Sequence, residues 1–117
     1  MKKVLVIEDE LDIIAIVTII LENEGYAVTS LTDALDYESN VIKSNADLVL
    51  LDLNLAGFNG KHICNYIKNS DDLKHTPVIL MSANTNIDQI MVECGADNLI
   101  RKPFDINELV AIVDTYI

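Results

Sequence analysis

Asp52 ends a run of four apolar residues, Leu48-Val49-Leu50-Leu51, and a loop containing Gly57 and Gly60 follows it. Four consecutive apolar residues carry no helical stripe, so they read as a strand buried on both faces. In open α/β sheets chemistry gathers outside the carboxyl ends of the strands. A carboxylate there can serve as an acid, a nucleophile or a metal ligand. The other strand-like runs end in the same manner. Val4-Leu5-Val6-Ile7 leads into Glu8-Asp9, Pro77-Val78-Ile79-Leu80-Met81 into Ser82, and Leu99-Ile100 precedes Lys102-Pro103. A single acid at a strand end commonly caps the next helix. Glu8, Asp9, Asp52, Ser82 and Lys102 converging on one sheet edge are better explained as a site.

Glu8, Asp9 and Asp52 cannot sit together fully ionised without a counter-charge. A hard divalent cation with oxygen ligands fits, and Mg²⁺ takes one or two carboxylates with waters and phosphate oxygens. A phosphoryl group on Asp52 would meet that metal on one side. On the other side it would meet Lys102 as a point charge and Ser82 as a hydroxyl donor. Aspartate is a known nucleophile toward phosphoryl donors. The residues therefore favour an aspartyl-phosphate site.

The elements that would position these groups alternate regularly. After the first strand, a long helix is expected over about 11–24, stopping at Gly25. Tyr26-Ala27-Val28-Thr29 reads as a more exposed second strand. Asp33 is expected to cap a weaker helix reaching about Ser44. A third helix is predicted over Lys61 to Asn69 with Ile63, Tyr66 and Ile67 inward. A short helix over about Ile87 to Glu93 stops at Gly95, and a last one over about Ile106 to Tyr116 turns Leu109, Val110 and Val113 to one face. Five β-then-α units without a linker predict one α/β domain over residues 1–117, built on a parallel doubly wound sheet. Apolar residues cover the first helix nearly all round, so two stripes compete for burial. One is Ile13, Ile16, Val17, Ile20 and Leu21; the other is Leu11, Ile14, Ala15 and Thr18.

The 117 residues carry 8 Lys+Arg against 19 Asp+Glu, a net charge of −11. Such a surface repels phosphate backbones, which argues against direct nucleic acid binding by this domain. The longest apolar run, Ile13 to Ile20, is far too short to span a bilayer. Met1-Lys2-Lys3-Val4-Leu5-Val6-Ile7 reaches acids at once and has no cleavage site, so no signal peptide is expected and a cytoplasmic location is. Cys64 and Cys94 lack metal-type spacing and read as reduced, buried thiols. His62 and His75 have no ligand partner at helical spacing.

Val6-Ile7-Glu8-Asp9-Glu10, Leu50-Leu51-Asp52, Met81-Ser82-Ala83, Gly95-Ala96-Asp97 and Lys102-Pro103-Phe104, in this order and spacing, resemble the receiver domain of two-component response regulators, including the chemotaxis-regulator type. The resemblance runs from Lys3 to Ile117. It implies a flavodoxin-like (βα)5 fold with strand order 2-1-3-4-5, which sets the ends of strands one and three side by side. It implies Asp52 as phosphoacceptor, with Glu8, Asp9, Asp52 and the backbone carbonyl of Asn54 holding Mg²⁺. Ser82 and Lys102 would bind the phosphoryl group, and Lys102-Pro103 would be a cis peptide. Partners implied are a sensor histidine kinase or histidine phosphotransfer protein, an unidentified output partner, and a second copy through the helix 4–strand 5–helix 5 face. Catalysis would be confined to self-phosphotransfer and autodephosphorylation. The family's face preferences bury Ile13, Ile16, Val17, Ile20 and Leu21, leaving Leu11, Ile14, Ala15 and Thr18 outward as a docking patch for the phosphohistidine donor.

Three positions and the length of one segment depart from the family pattern. Leu99 stands where an aromatic ring usually moves with the Ser or Thr hydroxyl, so the switch pair here is Ser82 and Leu99. The segment between Ser82 and Lys102 is about two residues short, which predicts a clipped fourth helix. Ala56 replaces a common proline and is expected to loosen the loop after Asp52. Glu8 replaces the commoner Asp. Two other functions compete. An Mg²⁺-dependent aspartate-nucleophile phosphohydrolase usually carries a second acid two residues after the nucleophile, where this chain has Asn54. A phosphate-independent receiver-like interaction module would have no need of the five strand-end groups. FMN binding, known on flavodoxin-like folds, would need a phosphate-cradling loop where Glu8-Asp9-Glu10 stands.

Overall fold

A computed structural model describes residues 1–55 and 59–117; the expectation for Ala56 lies outside the described residues. The elements are β1 (Lys3–Ile7), α1 (Leu11–Asn23), β2 (Ala27–Leu31), α2 (Tyr37–Ser44), β3 (Leu48–Asp52), α3 (Gly60–Asn69), β4 (Val78–Ser82), α4 (Ile87–Cys94), β5 (Asn98–Arg101) and α5 (Ile106–Tyr116). The strands form one parallel sheet in the order β2-β1-β3-β4-β5. Its register sets Ile7 beside Leu51, Asp52 beside Met81, and Ser82 beside Arg101. Glu8, Asp52, Ser82 and Lys102 therefore leave the sheet at nearly one level.

Successive strand residues point to opposite faces. Leu5, Ile7, Val49, Leu51, Val78 and Leu80 pack with residues of α2, α3 and α4. Val4, Val6, Leu48, Leu50, Ile79 and Met81 pack with residues of α1 and α5. This two-sided burial is why β1, β3 and β4 are continuous apolar runs. Asp97 ties the lower edge: its Oδ2 accepts from the Val78 amide at 2.8 Å and from Lys68 Nζ at 2.9 Å. α4 ends at Gly95, whose φ of 78° is the left-handed conformation glycine adopts without a Cβ penalty. Among the described residues, no helix is long and apolar enough to cross a membrane.

Two local expectations fail. Asp33 does not cap α2: its Oδ1 accepts from the Leu35 amide at 2.9 Å, closing a turn of its own. The helix begins four residues later, after Asp36 at φ 53°. On α1, Val17, Ile20 and Leu21 are buried and Ile13 packs partly against them, but Ile16 is 52% exposed. The buried arc is centred between Val17 and Leu21, which leaves Ile16 roughly a quarter-turn away at its margin. Of the residues expected outward, Leu11 and Ala15 are exposed, whereas Ile14 and Thr18 are half-buried.

Candidate functional site

Glu8 is wholly buried, Asp52 is 3% exposed and Ser82 is wholly buried, an unusual concentration of polar groups inside an apolar sheet. Carboxylate oxygens of Glu8, Asp9 and Asp52 all lie within 4.8 Å of one another. Lys102 reaches in from the end of β5. Its Nζ donates to Glu8 Oε2 at 2.8 Å and stands 3.7 Å from Asp52 Oδ1. The Lys102 amide also donates to the Ser82 carbonyl at 2.9 Å, and Lys102-Pro103 is cis.

Burial pushes the Glu8 carboxyl above its ordinary value, and neighbouring Asp52 adds to this; the bonds from Lys102 and from the Glu10 amide only partly offset it. Burial acts on Lys102 in the opposite sense, toward losing its proton. The bond to Glu8 and the charges of Asp52, Glu8 and Glu10 outweigh it, so the ammonium is held above its usual range. Among the described residues, this ammonium thus stands against a cluster of three carboxylates. That deficit of positive charge, with hard oxygen donors converging from two strand ends, matches what a divalent cation requires.

Beside the acids runs a polar bridge. Asn54 Nδ2 and the Asn84 amide both donate to Ser82 Oγ, at 3.4 and 3.0 Å. Asn84 Nδ2 donates to Asn54 Oδ1 at 3.3 Å, and the Asn54 amide donates to Asp52 Oδ1 at 3.2 Å. Asn84 was missed in the sequence. Its signal is that it stands two residues beyond Ser82, as Asn54 stands two beyond Asp52. Leu99, beside Leu80 in the sheet, is half-buried against the α3–α4 side of the core.

Gly60 was missed too. It opens α3 directly against the site: a Cβ there would lie 2.6 Å from the Asp52 carbonyl oxygen and 2.8 Å from Leu53 Cα. A helix would ordinarily gain from alanine over glycine. Here the sign reverses, because the contact is with backbone that holds Asp52. Gly60→Ala is expected to lower stability by about 1–3 kcal/mol, read as a drop in melting temperature. An unchanged or raised melting temperature would show that the two backbones are free to separate.

With this geometry in view, comparison with known proteins is decisive. Residues 4–114 match the response regulator receiver domain. The chain belongs to that family. Response regulator ArlR of Staphylococcus saprophyticus is 36% identical over 113 residues, which cover 95% of this chain and 50% of that protein. The DNA-binding response regulator MtrA of Mycobacterium tuberculosis is 34% identical over 114 residues, covering 96% of this chain and 49% of that protein. The chain spans about half the length of these curated relatives. The fold matches a crystal structure of a putative response regulator from Chloroflexus aurantiacus with a TM-score of 0.92 at 21% identity, covering 98% of this chain and 96% of that one. It also matches the chemotaxis response regulator CheY4 of Vibrio cholerae with a TM-score of 0.91 at 24% identity, covering 100% of this chain and 99% of that one. This receiver domain of two-component response regulators is a signalling switch of the phosphorylation-dependent class.

Proposed function

We propose that residues 1–117 act as one receiver unit in which Asp52 accepts a phosphoryl group from a phosphohistidine. The observation that carries this reading is Asp52, nearly buried at a strand end, with carboxylate oxygens of Glu8 and Asp9 within 4.8 Å, Lys102 Nζ 3.7 Å from its Oδ1, and the buried Ser82 at the end of the neighbouring strand. An Asp52 carboxylate oxygen attacks phosphorus while the P–N bond of the donor breaks. The bond pair stays on the imidazole nitrogen, which takes up a proton. Glu8, Asp9, Asp52 and the Asn54 backbone carbonyl would hold Mg²⁺. When bound, the cation supplies positive charge to the phosphoryl oxygens and offsets the carboxylates. Lys102 releases its hold on the acids to meet the incoming charge, and Ser82 supplies its hydroxyl.

Phosphorylation adds about −1.5 to −2 charges at neutral pH. Drawing Ser82 toward that charge breaks its bridge to Asn54 and Asn84 and lets Leu99 repack, a two-arrangement switch. Catalysis by this chain is then limited to its own phosphotransfer and to hydrolysis of its own acyl phosphate. A phosphohydrolase acting on outside substrates is disfavoured by Asn54, which stands where such enzymes place a second acid.

The donor is a sensor histidine kinase or histidine phosphotransfer protein in the cytoplasm, docking on α1. Leu11 and Ala15 are exposed there, with Ile14 and Thr18 half-buried beside them. Ile13, Ile16, Ala83, Lys102, Pro103 and Phe104 line an adjoining apolar groove of about 340 Å³. Output passes to a partner through α4, β5 and α5, including a second copy of the chain. MtrA is described as DNA-binding, and a DNA-binding output elsewhere in the protein would suit this reading. At a net charge of −11 this domain itself would not bind the nucleic acid.

Leu11→Glu and Ile16→Glu are expected to slow transfer from a phosphorylated kinase at least tenfold while leaving the reaction with acetyl phosphate unchanged. Equal rates from the kinase would remove α1 as the docking surface. The proposed function itself is tested by intact mass after incubation with acetyl phosphate, with Mg²⁺ or with EDTA. A single phosphoryl adduct that forms only with Mg²⁺ is expected. No adduct from either acetyl phosphate or a phosphorylated histidine kinase would overturn it.

A further inference from the structure

Three side chains at the sheet edge form a chain of hydrogen bonds that has a direction. Asn84 Nδ2 donates to Asn54 Oδ1 at 3.3 Å, and Asn54 Nδ2 donates to Ser82 Oγ at 3.4 Å. The Asn84 backbone amide donates to the same serine oxygen at 3.0 Å, closing a local turn. A serine hydroxyl has two lone pairs to accept with and one proton to give. Two N–H groups take the lone pairs, so what Ser82 still has to offer is its proton. Ser82 is wholly buried, so bulk water does not make up for a mismatched partner.

An asparagine amide carries an oxygen and an NH2 of nearly the same shape. Turned over, Asn54 would present its oxygen to Ser82 and take that proton. The Asn54 backbone is tied to the phosphoacceptor, its amide donating to Asp52 Oδ1 at 3.2 Å, which holds the side chain at this spot. Turning it against Asn84 as that residue stands would set two NH2 groups face to face, and neither could accept. Asn84 is exposed at the outer end of the chain, and its choice of donor or acceptor sets the direction of the rest.

We propose that Asn84 is a positioning residue for phosphoryl acceptance: its side-chain NH2 keeps Asn54 Nδ2 turned toward Ser82 and so reserves the Ser82 proton for a phosphoryl oxygen. This rests on the reading of Asp52 as the phosphoacceptor. The proton is offered in a hydrogen bond and is not transferred. With the chain reversed, the incoming phosphoryl oxygen competes with Asn54 Oδ1 for that proton, and the help Ser82 gives to the developing charge is diminished.

Asn84→Asp tests this, because it replaces the donor by a pure acceptor that draws Asn54 Nδ2 to itself and leaves Asn54 Oδ1 facing Ser82. It also adds a negative charge, so the same change is made in a Ser82→Ala background, where there is no hydroxyl proton to misdirect. The rate of adduct formation with acetyl phosphate and Mg²⁺ is followed by intact mass. Asn84→Asp is expected to slow the wild type by about fivefold or more, the worth of one hydrogen bond. In the Ser82→Ala background it should change the rate by less than about twofold, the scatter of independent sites. Asn84→Gln keeps an NH2 to donate and should react close to the wild-type rate. Equal slowing in both backgrounds, no slowing in either, or a Gln variant as slow as the Asp variant would overturn the proposal. Failure of Asp52 as acceptor has a different signature, no adduct on any of these chains, and would overturn both readings.

Discussion

Lys102→Met is expected to lower the melting temperature in cation-free buffer at pH 8 by roughly 10 °C, corresponding to about 3 kcal/mol. Lys102 is the ammonium that meets both Glu8 and Asp52, and Glu8 has no access to water. Removing one partner of a buried pair leaves the other charge uncompensated, which costs far more than the pair contributes intact. The pH dependence carries the sign. The Lys102 ammonium is held above its ordinary 10.5, so its contribution is fully present at pH 8. Glu8 is raised above 4.5, so the folded state keeps its proton at a higher pH than the unfolded chain. Stability therefore rises as pH falls from the raised value toward 4.5, and is diminished where Glu8 ionises. Without Lys102 that elevation grows. The loss should be greatest at pH 8, shrink on acidification and be largely recovered by Mg²⁺. A uniform loss at every pH would mean that Lys102 acts through packing alone.

Asp52→Asn should act in two opposed ways. It should abolish the phosphoryl adduct completely, because an amide nitrogen and carbonyl oxygen lack the nucleophilicity of the carboxylate. In cation-free buffer it should also raise stability, by about 1–2 kcal/mol. At an effective dielectric of 20, two unit charges 4 Å apart interact by about 4 kcal/mol. Among the described residues, Asp52 stands against two carboxylates, Glu8 and Asp9, and one ammonium, Lys102, so neutralising it relieves more than it forfeits. The amide oxygen can still accept from the Asn54 amide that now meets Oδ1. Denaturant melts with and without Mg²⁺ measure this, and added Mg²⁺ should narrow the gap. A variant less stable than wild type without cation would show that the Lys102 contact outweighs both repulsions.

The sheet and its edge were legible because burial on both faces leaves an unmistakable mark. Leu48 to Leu51 and Val78 to Met81 admit no polar residue, so the first polar groups after them had to stand at the strand ends. Parallel registration then brought Glu8, Asp9, Asp52, Ser82 and Lys102 together, as their positions implied. Ile16 was misplaced because an almost wholly apolar helix offers several arcs of similar hydrophobicity, and only contact with the sheet selects one. Asp33 was misread because an aspartate closing its own turn looks the same in sequence as one capping a helix. Gly60 and Asn84 were invisible for a further reason. A glycine required by the approach of a distant backbone, and an amide bonded across to Asn54, draw their meaning from neighbours about seven and thirty positions away.

The central claim, that Asp52 carries the phosphoryl group, is tested most directly by trapping. Protein phosphorylated with Mg²⁺ and acetyl phosphate is reduced with borohydride, which converts an aspartyl phosphate to homoserine, and the product is mapped by peptide sequencing. Homoserine at position 52 and nowhere else is the expected result. Homoserine at position 9, or a phosphorylated chain with position 52 unchanged, would contradict the assignment.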